Sequence, residues 1–311
     1  MANLNEYPWH KLLRVSNEEV KKWLILTKET KVSDTLFVRF YRLPHEGDKI
    51  NEHGLINYLL TAIEGYVFDK TEVEELREDG EDPFESALRF FGDVDPIRDG
   101  RYGELILYVL TEGILNVPLV VHKIAQSYSP NKQVEGSDGL FIGHHQEKFS
   151  LLVGESKMRN VFSVCLPDAL NSINRFHGEA DALKYEIKIA RKHLSKDIED
   201  LDHGALKQLY DSLKPDKPEF AQFNLVHPIL LVYKEKDINK IESEVEKALT
   251  ELIGSTSASR ETSIKNQTSH LEQNHIDFFL IPVGDVSKFR TNIYKAFHGG
   301  QEYIKKEGEG E

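Results

Sequence analysis

The chain has 311 residues, of which 40% are hydrophobic and 29% are charged, and its formal net charge is −13. This composition is typical of a globular protein with a sizeable core, and the negative charge argues against a nucleic-acid binder that works through a broad basic face. The one cysteine, Cys165, excludes an intramolecular disulfide framework. We see no apolar run of the roughly 20 residues that a membrane span needs and no signal-peptide pattern. We therefore expect a cytoplasmic protein with no membrane partner.

The first hundred residues predict two helices with a strand between them. An N-cap at Ser16, followed by two acidic residues, indicates a helix that runs to about residue 32. Residues 35–43 are rich in β-branched and aromatic side chains and predict a strand, and residues 53–68 carry the apolar stripe of a helix. We interpret residues 1–100 as an N-terminal α+β region.

An acidic segment at residues 71–100 holds eleven acidic and three basic residues, a net charge of −8. Such a run is usually a solvated helix followed by a loop, and a weak domain boundary is expected at residues 93–100. The charge would repel DNA near a substrate path. We therefore hypothesise that residues 1–100 dock a larger, positively charged partner.

Strands and helices alternate from residue 102 to residue 297, which we assign to a core at residues 101–300. The predicted helices are 102–115, 166–176, 180–194, 237–253 and 285–297; the predicted strands are 117–124, 138–143, 149–157, 227–233 and 278–283. The second and third of these strands form a hairpin, so we predict an α/β fold with a mixed sheet and helices on both faces. Residues 127–135 are rich in turn residues, residues 254–259 read as a flexible connection, and residues 301–311 as a disordered tail.

Polar residues converge at the open end of the predicted hairpin. If its turn centres between Gln146 and Glu147, Asp138 lies directly opposite Glu155. Lys157 is two residues beyond Glu155, so strand periodicity returns it to the same face. Two carboxylates and an ammonium group at the end of an apolar sheet predict a metal site in which the lysine assists the carboxylates.

The tripeptide Glu-x-Lys by itself carries little information, because it occurs four times, beginning at Glu19, Glu29, Glu155 and Glu186. Three copies lie in polar, helix-like surroundings, where residues two apart point in different directions. Only the copy at Glu155 ends a buried-looking strand and has an aspartate placed across a hairpin. The alternative to a functional site there is a salt bridge at a strand end.

Other candidate sites are weaker. We interpret His144 and His145 as exposed residues of the hairpin turn rather than as metal ligands. Cys165 has no histidine or aspartate nearby in sequence, so a nucleophilic role is not expected. The end of the helix at residues 180–194 is basic and is a candidate for phosphate contact, with a solvated face as the alternative. No Walker or dinucleotide glycine pattern occurs, so we expect no small-molecule cofactor.

The order of the polar residues resembles the PD-(D/E)xK nucleases, which have the restriction-endonuclease-like fold. Glu104 is the acid on a helix, Asp138 opens one strand, and Glu155 and Lys157 close the next; Gly136-Ser137-Asp138-Gly139 replaces the literal Pro-Asp. More narrowly, Gly-Glu on an apolar helix, then GSDGLFI, then LLVGESK is similar to the HamA family of the Hachiman antiphage defence system.

This resemblance implies a metal-dependent DNA nuclease effector of bacterial antiphage defence, which hydrolyses phosphodiester bonds under the control of a helicase partner, HamB. Mg²⁺ prefers oxygen ligands and needs few protein carboxylates, and Mn²⁺ is the alternative ion. The candidate ligands are Asp138, Glu155, the carbonyl group of Ser156, and Glu104. Lys157 would orient or deprotonate the attacking water and neutralise charge on phosphorus. Any ATP-driven step would belong to the partner.

Two other functions stay open at this point. One is a catalytically silent adaptor whose acidic face docks a helicase, and the other is a repair or restriction nuclease of the same fold. The presence of all four polar residues, Glu104, Asp138, Glu155 and Lys157, favours an enzyme over the adaptor.

Overall fold

A computed structural model describes most of the chain. The described residues are 4, 6–47, 49–93, 95–122, 137–178, 182–192, 194–200, 203–214, 220, 223–238, 245–268, 271 and 274–303. The predicted turns at residues 127–135 and the predicted tail from residue 304 onward lie outside them. Among the described residues no helix has the length and apolar character required to span a bilayer.

Six strands form one mixed sheet. The strands are β1 (Ile25–Lys31), β2 (Leu36–Arg42), β5 (Gly139–His145), β6 (Lys148–Arg159), β7 (Asn224–Lys234) and β8 (His275–Val283), while β3 (His45–Glu46) and β4 (Lys49–Ile50) form a small separate ladder. The order in the large sheet is β1-β2-β8-β7-β6-β5. The outer pairs β1–β2 and β5–β6 are antiparallel, and the three inner pairs are parallel. The predicted mixed α/β sheet is confirmed.

Helices cover both faces of this sheet. They are α1 (Asn17–Trp23), α2 (Glu52–Val67), α3 (Lys70–Glu78), α4 (Pro83–Arg89), α5 (Arg101–Leu110), α6 (Phe162–Gly178), α7 (Ala182–Lys192), α8 (His203–Ser212), α9 (Val245–Thr268) and α10 (Val286–Phe297). Helices α2, α5 and α10 pack on one face, and α6 to α9 pack on the other. The strands between them are buried on both faces, which is why their sequences are continuously apolar.

The N-terminal region is part of this architecture rather than a separate layer. Its strands β1 and β2 belong to the same sheet as the later strands, and β2 pairs directly with β8. Helix α2 packs against α5 within one hydrophobic core. The two sides of the predicted division at residue 100 therefore share a sheet and a core.

Three predictions of secondary structure are wrong. The helix predicted from Ser16 to residue 32 ends at Trp23, and β1 follows because it pairs with β2 along its length; the Glu29 copy of Glu-x-Lys is therefore on a strand. The predicted strand at residues 117–124 forms only two isolated bridges over its described residues, Leu119 with Phe141 and Val121 with Leu194.

The third wrong prediction is the flexible connection at residues 254–259, which lies inside the continuous helix α9. Serine and threonine hydroxyls here bond to carbonyl groups one turn earlier: Ser255 Oγ donates to Leu252 O at 2.8 Å, and Ser257 Oγ donates to Gly254 O at 2.8 Å. Buried Ile253 and Ile264 anchor the helix on the sheet. The segment is therefore helical although its composition is typical of loops, because its hydroxyl groups form hydrogen bonds within the helix and its apolar face is buried.

A buried carboxylate, Glu112, ties the N-terminal segment to the turn of π-helix that follows α5, Thr111–Leu115. One carboxylate oxygen accepts the backbone N–H groups of Arg14 at 2.8 Å and Val15 at 3.1 Å, and the other accepts the N–H of Leu119 at 2.8 Å. Glu112 is 1% exposed, and burial raises its pKa to about 7.

We expect the stabilising effect of Glu112 to depend on pH. The folded state holds a proton that the unfolded state releases above its ordinary pKa of 4.5, so the free energy of unfolding falls as pH rises from about 4.5 through about 7. The difference in this free energy between the wild-type protein and Glu112→Gln should therefore shrink by up to about 3 kcal/mol over that range. Urea denaturation of both proteins at several pH values measures it.

The control for this experiment is Glu85→Gln, which changes an exposed acid on α4. We expect it to follow the wild-type protein at every pH. A constant difference between the wild-type protein and Glu112→Gln from acid to neutral pH would contradict the assignment.

Candidate active site

The candidate site lies where strand β5 ends and β6 continues. Gly139, the first residue of β5, pairs with Gly154, which is the register predicted from the hairpin turn. The turn is the residue pair Gln146 and Glu147, with φ of 49° and 63°. Beyond Gly154, β6 keeps β7 as a partner up to Arg159 but has no further pairing with β5. Among the described residues, which do not include 123–136, this end of β6 therefore presents an open edge.

The carboxylate of Asp138 occupies this open edge. Its Oδ2 accepts the backbone N–H of Ser156 at 2.6 Å and the Ser156 hydroxyl at 2.7 Å, while its own backbone N–H donates to Gly154 O at 3.0 Å. A strand N–H without a partner strand needs another acceptor when it is buried. Asp138 supplies that acceptor, which fixes its side chain at the end of the hairpin.

Glu155 and Lys157 lie on the face of β6 that packs against α6. The neighbouring residues Leu151 and Val153 belong to the core under α6, and strand alternation places Glu155 and Lys157 with them. The Lys157 ammonium donates to Glu155 Oε1, and the Ser172 side chain of α6 also bonds to Glu155. Glu155 is 3% exposed, whereas Lys157 is a quarter exposed.

Electrostatic repulsion between carboxylates is built into this arrangement. Burial, and then the negative charge of Asp138, raise the pKa of Glu155 well above its ordinary value, although Lys157 and Ser172 act in the opposite direction. The two oxygen donors thus share an excess of negative charge that a bound cation would relieve. A hard divalent cation such as Mg²⁺ fits this donor set.

Glu104 lies on the other face of the sheet, on helix α5. Its Oε2 accepts the hydroxyl of Tyr66 at 2.9 Å. Burial, then Glu104 and Asp138, raise the pKa of Tyr66, so Tyr66 is close to both carboxylates. The charge of Asp138 therefore acts both on Tyr66, the partner of Glu104, and on Glu155. Of the described acids and histidines, these three do not form a group with all ligand atoms within 4.8 Å.

Close packing of α5 on β6 depends on Gly103, the residue before Glu104. A Cβ atom at this position would lie 2.8 Å from Ser156 Oγ and 3.3 Å from Ser156 Cβ. Only a glycine allows the helix to approach the strand so closely at the point where Ser156 binds Asp138.

A polar cavity of about 170 Å³ opens beside these residues. It is lined by Arg98, Asp99, Gly100, Gly103, Asp138, Ser156, Lys157, Met158, Arg159 and Arg290. The side chains of Arg98 and Arg159 are more than half exposed, so they are accessible to a ligand. Arg290 is buried and donates from Nε to Pro96 O at 2.7 Å, from Nη1 to Met158 O at 3.4 Å, and to the carbonyl of Asp99. The cavity therefore combines carboxylates with several cations, which suits an anion bound through a metal.

A comparison with models of known protein families identifies the family of this chain. The HamA family model matches residues 18–297 of the 311 residues. The chain belongs to the HamA family. This membership implies a component of the Hachiman antiphage defence system. A search of curated proteins found no match.

Sequence reasoning proposed Glu104, Asp138, Glu155, Ser156 and Lys157 as site residues and did not include other residues in and around the cavity. Arg159 follows Lys157 by two residues on the same strand, so strand alternation could have indicated it. Tyr66, Arg98 and Arg290 come from distant elements, and their sequence surroundings give no signal of a shared cavity. Their positions depend on how α2 and α10 pack on the sheet.

We expect Gly103→Ala to lower the free energy of unfolding by about 1–3 kcal/mol, because the added methyl group forces α5 away from Ser156. The cost should fall in a Ser156→Ala background, where the nearest atom is the Cβ at 3.3 Å. A double-mutant cycle measured by urea denaturation gives this coupling.

The matched control is Gly254→Ala, since Gly254 is also helical but has nothing within 4 Å of an added Cβ. It should be neutral or stabilising by up to about 1 kcal/mol. Equal effects of the two alanine substitutions would show that close packing at Gly103 is unimportant.

Proposed function

We propose that this HamA-family protein is a metal-dependent deoxyribonuclease that hydrolyses phosphodiester bonds as an effector of phage defence. The observation that supports this most strongly is the open edge of β6. There a buried Glu155 paired with Lys157 lies beside Asp138 and next to a cavity lined with arginines. The same residues carry the resemblance to PD-(D/E)xK nucleases.

The oxygen donors at the site are suited to Mg²⁺ or Mn²⁺. Asp138, Glu155, the carbonyl group of Ser156, and Glu104 would hold the ion. A bound Mg²⁺ would polarise the scissile phosphate and lower the pKa of a coordinated water. The raised pKa of Glu155 supports this assignment, because burial, together with the charge of Asp138, disfavours the ionised carboxylate unless a cation is bound.

The cationic side chains have separate roles in the proposal. Lys157 lies against Glu155 and lines the cavity, so its ammonium group can orient the attacking water and offset charge that develops on phosphorus. Arg98 and Arg159 line the same cavity with exposed side chains and are suited to bind the neighbouring phosphates of DNA.

A silent adaptor would not require this arrangement. A lysine held against a buried glutamate costs desolvation free energy, and a structural salt bridge rarely offsets that cost. The exposed arginines beside the pair form only long surface ion pairs, Arg98 with Asp95 at 3.8 Å and Arg159 with Asp168 at 3.4 Å, and such pairs contribute little to stability. We therefore favour the nuclease over the adaptor, and family membership favours defence over repair or restriction.

We expect Asp138→Ala, Glu155→Ala and Lys157→Ala each to reduce Mg²⁺-dependent DNA cleavage by at least about a hundredfold. The folded state should persist in the Lys157 variant, because the raised pKa of Glu155 lets this carboxyl group take up a proton when its partner is removed. The measurement is plasmid cleavage in Mg²⁺ and in EDTA, with circular dichroism to verify folding.

The matched control is Lys21→Ala, which changes the exposed lysine of another Glu-x-Lys tripeptide, on α1. Cleavage by this variant should equal that of the wild-type protein. Full Mg²⁺-dependent cleavage by a folded Lys157→Ala protein would rule out the proposed site.

The defence system implies partner proteins, and we propose that a HamB-like helicase docks on the acidic segment and delivers DNA. The segment forms α3 and α4, and its exposed acids are Glu74, Glu75, Glu78, Asp79, Glu81, Asp82 and Glu85. This surface would repel DNA, so it is better suited to a basic protein surface. Restraint by a partner would also protect the host genome.

We expect the triple variant with Glu74, Glu78 and Glu85 changed to Lys to bind the helicase more weakly at low salt, with a smaller difference at high salt. Exposed charges at the rim of an interface mainly set the association rate and its dependence on ionic strength. Binding kinetics at about 0.05 M and about 0.5 M NaCl measure this effect.

A control variant changes the exposed acids Glu18, Glu251 and Glu302 to Lys, which alters the net charge equally at other places on the surface. It should bind the helicase like the wild-type protein. If both triple variants lose the same affinity, net charge rather than docking on the acidic segment explains the interaction.

A further inference from the structure

A second group of potential ligands lies at the opposite end of β5 from Asp138. It consists of His145, the last residue of β5, together with His275 and Asp277 at the beginning of β8. All three are buried, with exposed fractions of 3%, 7% and 0%. Strand β5 has seven residues, so the group is separated from Asp138 by roughly 20 Å of strand.

The sequence interpretation of His145 was wrong. We expected His144 and His145 to be exposed residues of the turn, but both belong to β5, and His145 points into the protein. The sequence gives no indication that His145 approaches β8, because β6 and β7 lie between the two strands in the sheet order.

The potential ligand atoms converge on one carboxylate oxygen. Asp277 Oδ2 lies 3.0 Å from His145 Nε2 and 3.5 Å from His275 Nε2. The described residues nevertheless give Asp277 Oδ2 and His275 Nε2 no partner at hydrogen-bond geometry. Buried polar atoms without a partner are costly, and such atoms in a native protein indicate a missing ligand, water or ion.

We propose that His145, His275 and Asp277 bind a Zn²⁺ ion. Zinc binds histidine nitrogen and carboxylate oxygen at about 2.0–2.2 Å in a tetrahedral arrangement, so two of its ligand atoms lie roughly 3.3–3.5 Å apart. The two observed distances to Asp277 Oδ2 bracket that value closely. Two imidazoles with one carboxylate suit Zn²⁺ rather than Mg²⁺ or Ca²⁺, which prefer all-oxygen sites.

The surroundings of the group orient its members. Arg39 donates to Asp277 Oδ1, the oxygen that does not face the histidines, and Arg39 Nε is also 3.4 Å from Glu29 Oε2. The Phe37 ring stacks on His275 at 5.5 Å between ring centroids. Hydrogen bonds to the second oxygen of a ligating carboxylate and packing against a ligating ring are typical of metal sites.

The simpler alternative is a buried ion pair between Arg39 and Asp277 with two histidines as further hydrogen-bond donors. That alternative requires each Nε2–H to point at Asp277 Oδ2. The His145 ring comes within reach of Oδ2, but the His275 ring does not meet this geometry, since its Nε2 lies 3.5 Å away and has no hydrogen-bond partner among the described residues. A shared ion between the three side chains accounts for both the short distances and the missing hydrogen bonds.

The zinc ion would have a structural role in this position. It would join the end of β5, at the tip of the β5–β6 hairpin, to β8, although β6 and β7 lie between these two strands in the sheet order. The described residues supply three ligands, and water completes the coordination. The ion would therefore stabilise the hairpin whose other end carries Asp138 and Glu155, without contacting the DNA substrate.

The test begins with the zinc content of the untagged full-length protein, measured by mass spectrometry after dialysis against a weak chelator. We expect about one zinc ion per chain, and at least a tenfold loss in His145→Asn, His275→Asn and Asp277→Asn. The matched control is His144→Asn, which changes the preceding residue of β5 and should keep the zinc. The Asp138→Ala/Glu155→Ala double variant should also keep it, which separates this site from the proposed nuclease site.

A second measurement uses only the wild-type protein and therefore tests the proposal even if the variants fail to fold. Wild-type protein stripped with EDTA should give the visible absorption of tetrahedral Co²⁺ on titration with cobalt, and Zn²⁺ should raise its melting temperature by several degrees. The proposal is overturned if zinc persists in the folded variants, or if the wild-type protein contains none and shows neither the cobalt absorption nor the rise in melting temperature.

Discussion

The hydrogen bonds from Ser156 to the carboxylate of Asp138 are the constraint on which the candidate site depends. They satisfy the N–H and hydroxyl groups of Ser156 at the point where, among the described residues, β6 no longer pairs with β5. A carboxylate that accepts two hydrogen bonds is also held in a fixed orientation beside Glu155. Backbone geometry and chemistry are therefore linked in one residue: Asp138 completes the sheet and presents negative charge at the cavity.

Two features of the candidate site lower the stability of the folded protein locally. Glu155 is buried beside another acid, and Gly103 is a poor helix former in the first turn of α5. Each feature would be unfavourable in a purely structural position. Their concentration around one cavity is the pattern expected of a functional site, because such sites are where natural proteins depart from the local rules that favour folding.

The sequence predicted those parts of the molecule that depend on local pattern. Strand alternation and a two-residue turn were sufficient to predict the register of β5 and β6 that brings Asp138 near Glu155. The strand order, the contribution of β1 and β2 to the main sheet, and the approach of Arg290 to the cavity depend on contacts between distant segments, which periodicity does not report. Helix α9 shows a different limit, since its serine and threonine residues are satisfied by helical hydrogen bonds that composition alone does not reveal.

The position of β8 has a consequence for biosynthesis. This strand lies between β2 and β7, although it follows both of them in the chain by many residues. Until the ribosome has released residues 275–283, the sheet consists of two separate pieces with unpaired edges, one with β1 and β2 and one with β5 to β7. A translation product that stops before β8 would therefore aggregate or be degraded rather than accumulate in folded form. The topology thus delays completion of the sheet until β8 has been made.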